Sequence, residues 1–335
     1  MGEAAFYSFD DLTLEVRRRQ RAEDRLSGLF ECLSWIKTTR FERRPQLRLR
    51  VFNDGNKPRV PSGANECFRA GGFYGFDANG DYYLTDGSSV FHLQPCRGQG
   101  YAYLARPFLK KPALVQQNFW SFGLLKLLRA KGLYSLHAAG VTNKDHGLLV
   151  IGRSGSGKST LAIGLIRAGW DYLSDDAVLL RGSAQGVEAL ALRKPFYVDA
   201  ERSGDYADFS LGEEIPDSDG GKRRRVFIER LYCDQQVSRC VPRFLIFSHI
   251  TSQDQSELVP MDRVRALKVL LAESAPQLFD TNTMARHLEV LKKLLQQTIA
   301  YELKAGIDLY RAPTKLVRLL EKAEKGRRWC GSSSN

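Results

Sequence analysis

The period of the hydrophobic positions changes along this chain, and the changes divide it. Gln46-Leu-Arg-Leu-Arg-Val-Phe52 alternates polar and apolar residues, as a half-buried strand does. Phe73–Asp77 and Tyr82–Leu84 flank Ala78-Asn79-Gly80-Asp81, which predicts a hairpin with an Asn-Gly turn. Short strands are expected at 89–93 and 101–104, and the charged stretch 9–37 carries a partly helical pattern. Residues 1–112 therefore read as a β-rich region ending at Pro112. Beyond it, Leu114, Val115, Phe119, Phe122, Leu125 and Leu128 fall at helical spacing over 113–130, and Gly132 is placed to stop that helix. Its aromatic residues read as core.

From residue 133 strands and helices alternate. Strands are expected at 136–141 and 147–151 around a turn at 142–146. A helix follows over 158–168, with Gly169 at its cap. An extended stretch covers 172–180, and further strands fall near 189–192, 226–228 and 244–248. The last third predicts helices at 262–273, 281–304 and 313–325. This order is that of an α/β fold. Residues 113–328 are read as one such domain, followed by a frayed tail at 329–335.

Composition narrows the class. With 43% hydrophobic and 26% charged residues in 335 positions, the chain can build a sizeable core, which excludes disorder, collagen and fibre. No uncharged apolar run reaches the ~18 residues that suggest a membrane span. The acidic N-terminus lacks a basic segment followed by an apolar one, so a secretory signal is not expected. Six cysteines without a C-x-x-C pair are too sparse for a disulfide framework or a zinc site. They read as reduced thiols of a cytoplasmic protein. The net charge of +12 suits a phosphate-bearing partner, whether nucleotide, nucleic acid, acidic peptide or lipid surface. No RNA-recognition or helix-turn-helix signature accompanies it, which argues against nucleic acid.

The sharpest chemical signal is Gly152-Arg153-Ser154-Gly155-Ser156-Gly157-Lys158-Ser159, followed by Thr160, which matches G-x-x-x-x-G-K-[ST] between an apolar strand and an amphipathic helix. Its glycines let backbone N–H groups close around phosphate, and the helix N-terminus adds partial positive charge. Lys158 would reach the β- and γ-phosphates of ATP, or of GTP, and Ser159 would ligate Mg²⁺. Asp175 and Asp176 follow the next apolar stretch. They suit a metal ligand and a proton acceptor, or simply cap a turn. His137, ahead of the loop, is either a packed core residue or part of the site. Charge on a transferring phosphoryl group calls for an arginine, with Arg193, Arg223, Arg224, Arg225 and Arg243 as candidates. The run Lys222–Arg225 could equally be a solvated surface.

Leu136-His-Ala-Ala-Gly-Val141, the loop 152–159 and Leu173-Ser-Asp-Asp-Ala-Val178 together resemble the HPr kinase/phosphorylase family and its relatives, including kinases associated with lasso-peptide maturation. The resemblance covers about 133–181. It implies a P-loop kinase core in a mixed sheet flanked by helices, related to phosphoenolpyruvate carboxykinase, in a protein that can form homo-oligomers. It also implies Asp176 as proton acceptor, Asp175 at the metal, and His137 in the active site. The element linked to phosphorolysis is not recognisable, so the implied activity is a kinase without the reverse reaction. The expected acceptor is a Ser or Thr hydroxyl of a peptide or small protein, a lasso-type precursor included, with residues 1–112 as a docking region. The alternatives are a small hydroxylated metabolite as acceptor, or an ATPase or GTPase switch acting on a partner protein.

Overall fold

The computed structural model describes residues 4–18, 35–39, 44–53, 57–144, 146–192, 196–199, 213–216, 222–226, 228–274, 280–312 and 314–330. The chain forms two compact units, Met1–Ser135 with Ala275–Glu289, and Leu136–Ser274 with Val290–Asn335. Both contribute to a mixed α/β fold. No described helix is long and apolar enough to cross a membrane.

The first unit is built on a sheet of β1 (Ala4–Phe9), β2 (Leu12–Arg18), β3 (Ile36–Thr38), β4 (Leu47–Asn53), β5 (Asn65–Ala70), β6 (Phe73–Ala78), β7 (Asp81–Thr85), β8 (Val90–Gln94) and β9 (Gln99–Leu104). Among the described residues its order is β3-β1-β2-β4-β9-β8-β7-β6-β5. The alternation in β4 holds: Leu47, Leu49 and Val51 are buried while Arg48 and Arg50 are exposed. The Asn-Gly hairpin also forms, with both Asn79 (φ 53°) and Gly80 (φ 92°) at the positive φ its turn requires. The described parts of 9–37 lie in or beside β1, β2 and β3, where Leu14 and Val16 are buried in the core and β2 pairs with β1 and β4. Residues 19–34 lie outside the described set.

This unit runs past Pro112. After a short helix α1 (Arg106–Leu109), helix α2 (Ala113–Ala130) sets Phe119 against Phe108, Phe91 and Phe73 at ring-centroid distances of 4.8, 5.5 and 6.0 Å. Gly123 is where the Phe91 ring meets the helix, since a Cβ there would come within 2.0 Å of it. A buried polar cluster adds to this: Lys126 Nζ lies 2.8 Å from Asp280, and Arg129 donates to Thr283 (2.7 Å). Helical spacing reported the helix but not which core would receive it.

The second unit follows β10 (Leu133–Leu136). It contains β11 (Ala138–Asn143), β12 (His146–Ile151), α3 (Lys158–Arg167), β13 (Asp171–Ser174), β14 (Val178–Gly182), β15 (Val187–Ala191), β16 (Phe196–Asp199), β17 (Glu213–Pro216), β18 (Lys222–Val226), α4 (Ile228–Leu231), β19 (Arg239–Cys240), β20 (Pro242–Ile250), β21 (Glu257–Pro260), α5 (Arg263–Ala272), the second part of α6 (Thr281–Gln297), β22 (Ile299–Ala305), α7 (Ile307–Arg311) and α8 (Lys315–Cys330). Its principal sheet has the order β13-β11-β12-β20-β22-β21, with β12, β20 and β22 parallel. Leu148, Val150 and Ile246 pack with Leu161 and Leu165 of α3 in one core.

Three expectations change here. The helix expected through Lys304 stops at Gln297, and Ile299–Ala305 is a strand between β20 and β21. Ala, Glu, Leu and Lys favour helix locally, but the sheet position buries Ala300, Tyr301, Leu303 and Ala305. The extended stretch 172–180 is two strands, β13 and β14, in different sheets, with Asp175 and Asp176 in the bend between them. The strand expected near 226–228 is β18 followed by the first turn of α4. Of the tail, 329–330 end α8 and 331–335 lie outside the described residues.

Candidate active site

Strand β12 carries the buried run Leu148–Ile151 to the edge of the core, and the chain then turns back into α3 through residues 152–157. Three glycines make the turn, with φ of 157° at Gly152, 80° at Gly155 and 86° at Gly157, values that L side chains rarely adopt. Gly152 also has no room, since a Cβ there would lie 2.6 Å from both Ser156 Oγ and the Ser248 carbonyl. Ser248 of β20 donates its hydroxyl to the Ser156 carbonyl (2.9 Å), which ties the loop to the neighbouring parallel strand. The loop thus leads directly into the N-terminus of α3, where helix N–H groups carry partial positive charge.

Lys158 sits buried at the head of α3. Its ammonium donates to the carbonyls of Gly152 (2.7 Å) and Arg153 (3.1 Å), so it lies inside the curl of the loop. Burial holds it below the ordinary lysine value, against the pull of Asp175, Asp176 and Glu273. One residue on, Ser159 donates its hydroxyl to Asp175 Oδ2 at 3.0 Å. The other carboxylate oxygen, Asp175 Oδ1, is buried with no hydrogen-bond partner among the described residues. Burial pushes this carboxyl up to about 7, opposed by the Ser159 bond. A hydroxyl and an unsatisfied carboxylate oxygen at the head of this helix fit a hard divalent cation with its other ligand positions open. No group of three or more His, Cys, Asp or Glu side chains that could hold a metal occurs among the described residues.

His137 lies between β10 and β11. Its Nε2 is 3.4 Å from Asp176 Oδ1, and its Nδ1 is 2.8 Å from Glu273 Oε2. The His137 backbone N–H also donates to the Glu273 carbonyl at 2.7 Å. The hydrogen bond with Asp176 raises the imidazole above its ordinary value, with burial opposing. Asp176 is half exposed, at 51%, whereas Asp175 is buried. The bend between two sheets thus separates adjacent carboxylates into an inner and an outer group.

Sequence spacing located Lys158, Ser159, Asp175, Asp176 and His137, and these gather at one end of β12. Glu273 was missed. It sits at the C-terminal cap of α5, 136 positions from His137, and no local pattern marks it. Arg153 and Ser154 are exposed on the loop, and Thr160 is partly buried in α3. Arg193 lies outside the described residues, as does the side chain of Arg225, whose backbone pairs within β18. Arg224 is 3.7 Å from Glu214. Arg243, a further phosphate-stabilising candidate, is on β20. It lies four residues before Phe247, the partner of Ile151, and so about 13 Å along β20 from the loop end. Its guanidinium lies over the Phe244 ring, 5.7 Å from the centroid. Proximity to an apolar run gave no information about which end of a parallel strand the residue occupied.

Neither a family model nor the sequence of a curated protein matches the chain. Among solved structures, it is similar to the Hpr(Ser) kinase/phosphatase from Coxiella burnetii, at 13% identity and a TM-score of 0.31, over 59% of this chain and 95% of that one.

Proposed function

We propose that this protein is a phosphotransferase that moves the γ-phosphoryl group of ATP to a hydroxyl. One observation carries the reading: the glycine loop sets Lys158 and Ser159 at a helix head facing an inner carboxylate, Asp175, and an outer one, Asp176. In this reading the backbone N–H groups of 152–159 and the Lys158 ammonium, released from the Gly152 and Arg153 carbonyls, hold the phosphate chain. Ser159 and Asp175 hold Mg²⁺, which when bound neutralises phosphate charge. The unsatisfied Asp175 oxygen supports that assignment. Asp176, reachable from outside and backed by His137, accepts the proton of the incoming hydroxyl. Positioning and charge would supply most of the rate, with no covalent intermediate on the protein.

The acceptor we assign is a serine or threonine hydroxyl on a peptide or small protein, a lasso-type precursor peptide being one such chain. The exposure of Asp176 supports an acceptor presented from outside. Incubation with Mg²⁺ and γ-labelled ATP tests the reading, with peptides ending in serine, the same peptides ending in alanine, and no peptide. Label on the serine peptide alone is expected. Label only in free phosphate would make the protein a nucleotide hydrolase, and label in neither would refute nucleotide chemistry at the loop.

A further inference from the structure

The sequence motif accounts for His137 and the two aspartates but not for what holds the imidazole. Its ring is gripped from both sides. Asp176 faces Nε2 at 3.4 Å from the bend after β13, and Glu273 faces Nδ1 at 2.8 Å from the end of α5. Lys158 and Asp175 are the other charged groups acting at this place. The shorter contact is the one to Glu273, and it is doubled by the main-chain bond from His137 N–H to the Glu273 carbonyl at 2.7 Å. With the Glu273 carboxylate accepting from Nδ1–H, the ring is fixed so that its other donor, Nε2–H, is aimed at Asp176. The bond from Ser159 orients Asp175, whereas the half-exposed Asp176 carboxylate has the Nε2 side of the ring beside it.

We infer that Glu273 is a positioning residue for the transfer reaction, holding His137 through Nδ1 so that Nε2 orients the Asp176 carboxylate. The inference rests on the phosphotransferase reading for its kinetic consequence, but not for the bond itself. Glu273 bonds to the ring and also adds its charge to the pull on Lys158, an effect that Glu273→Gln removes while keeping an acceptor for the ring. The carboxylate could be replaced by another acceptor of the same length, so glutamine should serve where methionine does not.

Full-length protein with ¹⁵N-labelled histidine tests the bond. The His137 signals are assigned by their loss in His137→Asn. The wild-type ring should carry Nδ1–H toward Glu273 and Nε2–H toward Asp176; Nδ1–H should be retained in Glu273→Gln and lost in Glu273→Met, where Nε2–H alone keeps its acceptor. In the transfer assay, Glu273→Met should lower kcat roughly ten- to hundredfold, the scale of a misplaced reacting group. KM for ATP should stay within about twofold. In the His137→Asn background the same substitution should cause no further loss. Equal losses in both backgrounds, or an unchanged His137 spectrum in Glu273→Met, would overturn the inference. If Glu273→Met does not fold, Glu273→Ala takes its place with the same expectations. A wild type that transfers no phosphoryl group sinks the functional reading, while the histidine spectrum still decides whether Glu273 holds the ring.

Discussion

Asp175→Asn should make this protein more stable while removing its metal site. The carboxyl is buried, accepts one bond from Ser159, and leaves Oδ1 without a partner. Burial moves it from an ordinary value of 3.8 to about 7. That displacement corresponds to about 4 kcal/mol disfavouring the charged form in the fold. Asparagine keeps the acceptor for Ser159 but puts an NH₂ where Oδ1 was, and an unpaired buried donor costs about 1–3 kcal/mol. The net gain at pH 8 without metal is therefore about 1–3 kcal/mol. The sign in pH follows from the folded carboxyl binding its proton more tightly than the unfolded one. The cost is absent below about 4, grows as pH rises, and is complete above about 7. Urea unfolding in EDTA at pH 5 and pH 8 measures it. The advantage of the variant should widen between those values. Mg²⁺ with a non-hydrolysable ATP analogue should then stabilise the wild type and leave the variant nearly unchanged. A variant less stable than wild type at pH 8, or an advantage that shrinks as pH rises, would refute the account of Asp175 as an uncompensated buried charge.

Lys158→Ala should fold normally, because it removes an ammonium that burial already disfavours, yet lose nucleotide turnover by roughly a hundredfold or more in the labelled-ATP assay. Asp176→Asn should keep binding Mg²⁺ and ATP, measured by calorimetry, while transfer fails. Gly123→Ala would drive a methyl into the fully buried Phe91 ring and should cost about 1–3 kcal/mol by urea unfolding, without touching the loop. Gly155→Ala meets no atom within 4 Å and pays only for its φ of 80°, whereas Gly152→Ala also strikes the Ser248 carbonyl. Nucleotide affinity by calorimetry should therefore fall more for Gly152→Ala.

Local order was legible in the chain where local chemistry decides it. The Asn79-Gly80 turn, the alternation of Leu47–Asn53 and the glycine spacing from 152 to 157 each encode a backbone conformation within a few residues. The structure carries all three. Ser159 was legible from the loop motif and Asp175 from the resemblance, and the structure brings the two into hydrogen-bond contact after one short helix and one strand. What the tertiary structure alone decided involves partners distant in sequence. Ile299–Ala305 has helix-favouring composition and becomes a strand because β20 and β21 flank it. The helix after Pro112 belongs to the core that offers it Phe73, Phe91 and Phe108. Arg243 lies near the start of β20, since parallel register with β12 fixes the end at which a residue lies. Glu273 reaches His137 across 136 positions through the placement of a helix end. Periodicity reports which face of an element seeks burial, but the choice of partner is a property of the whole packed chain.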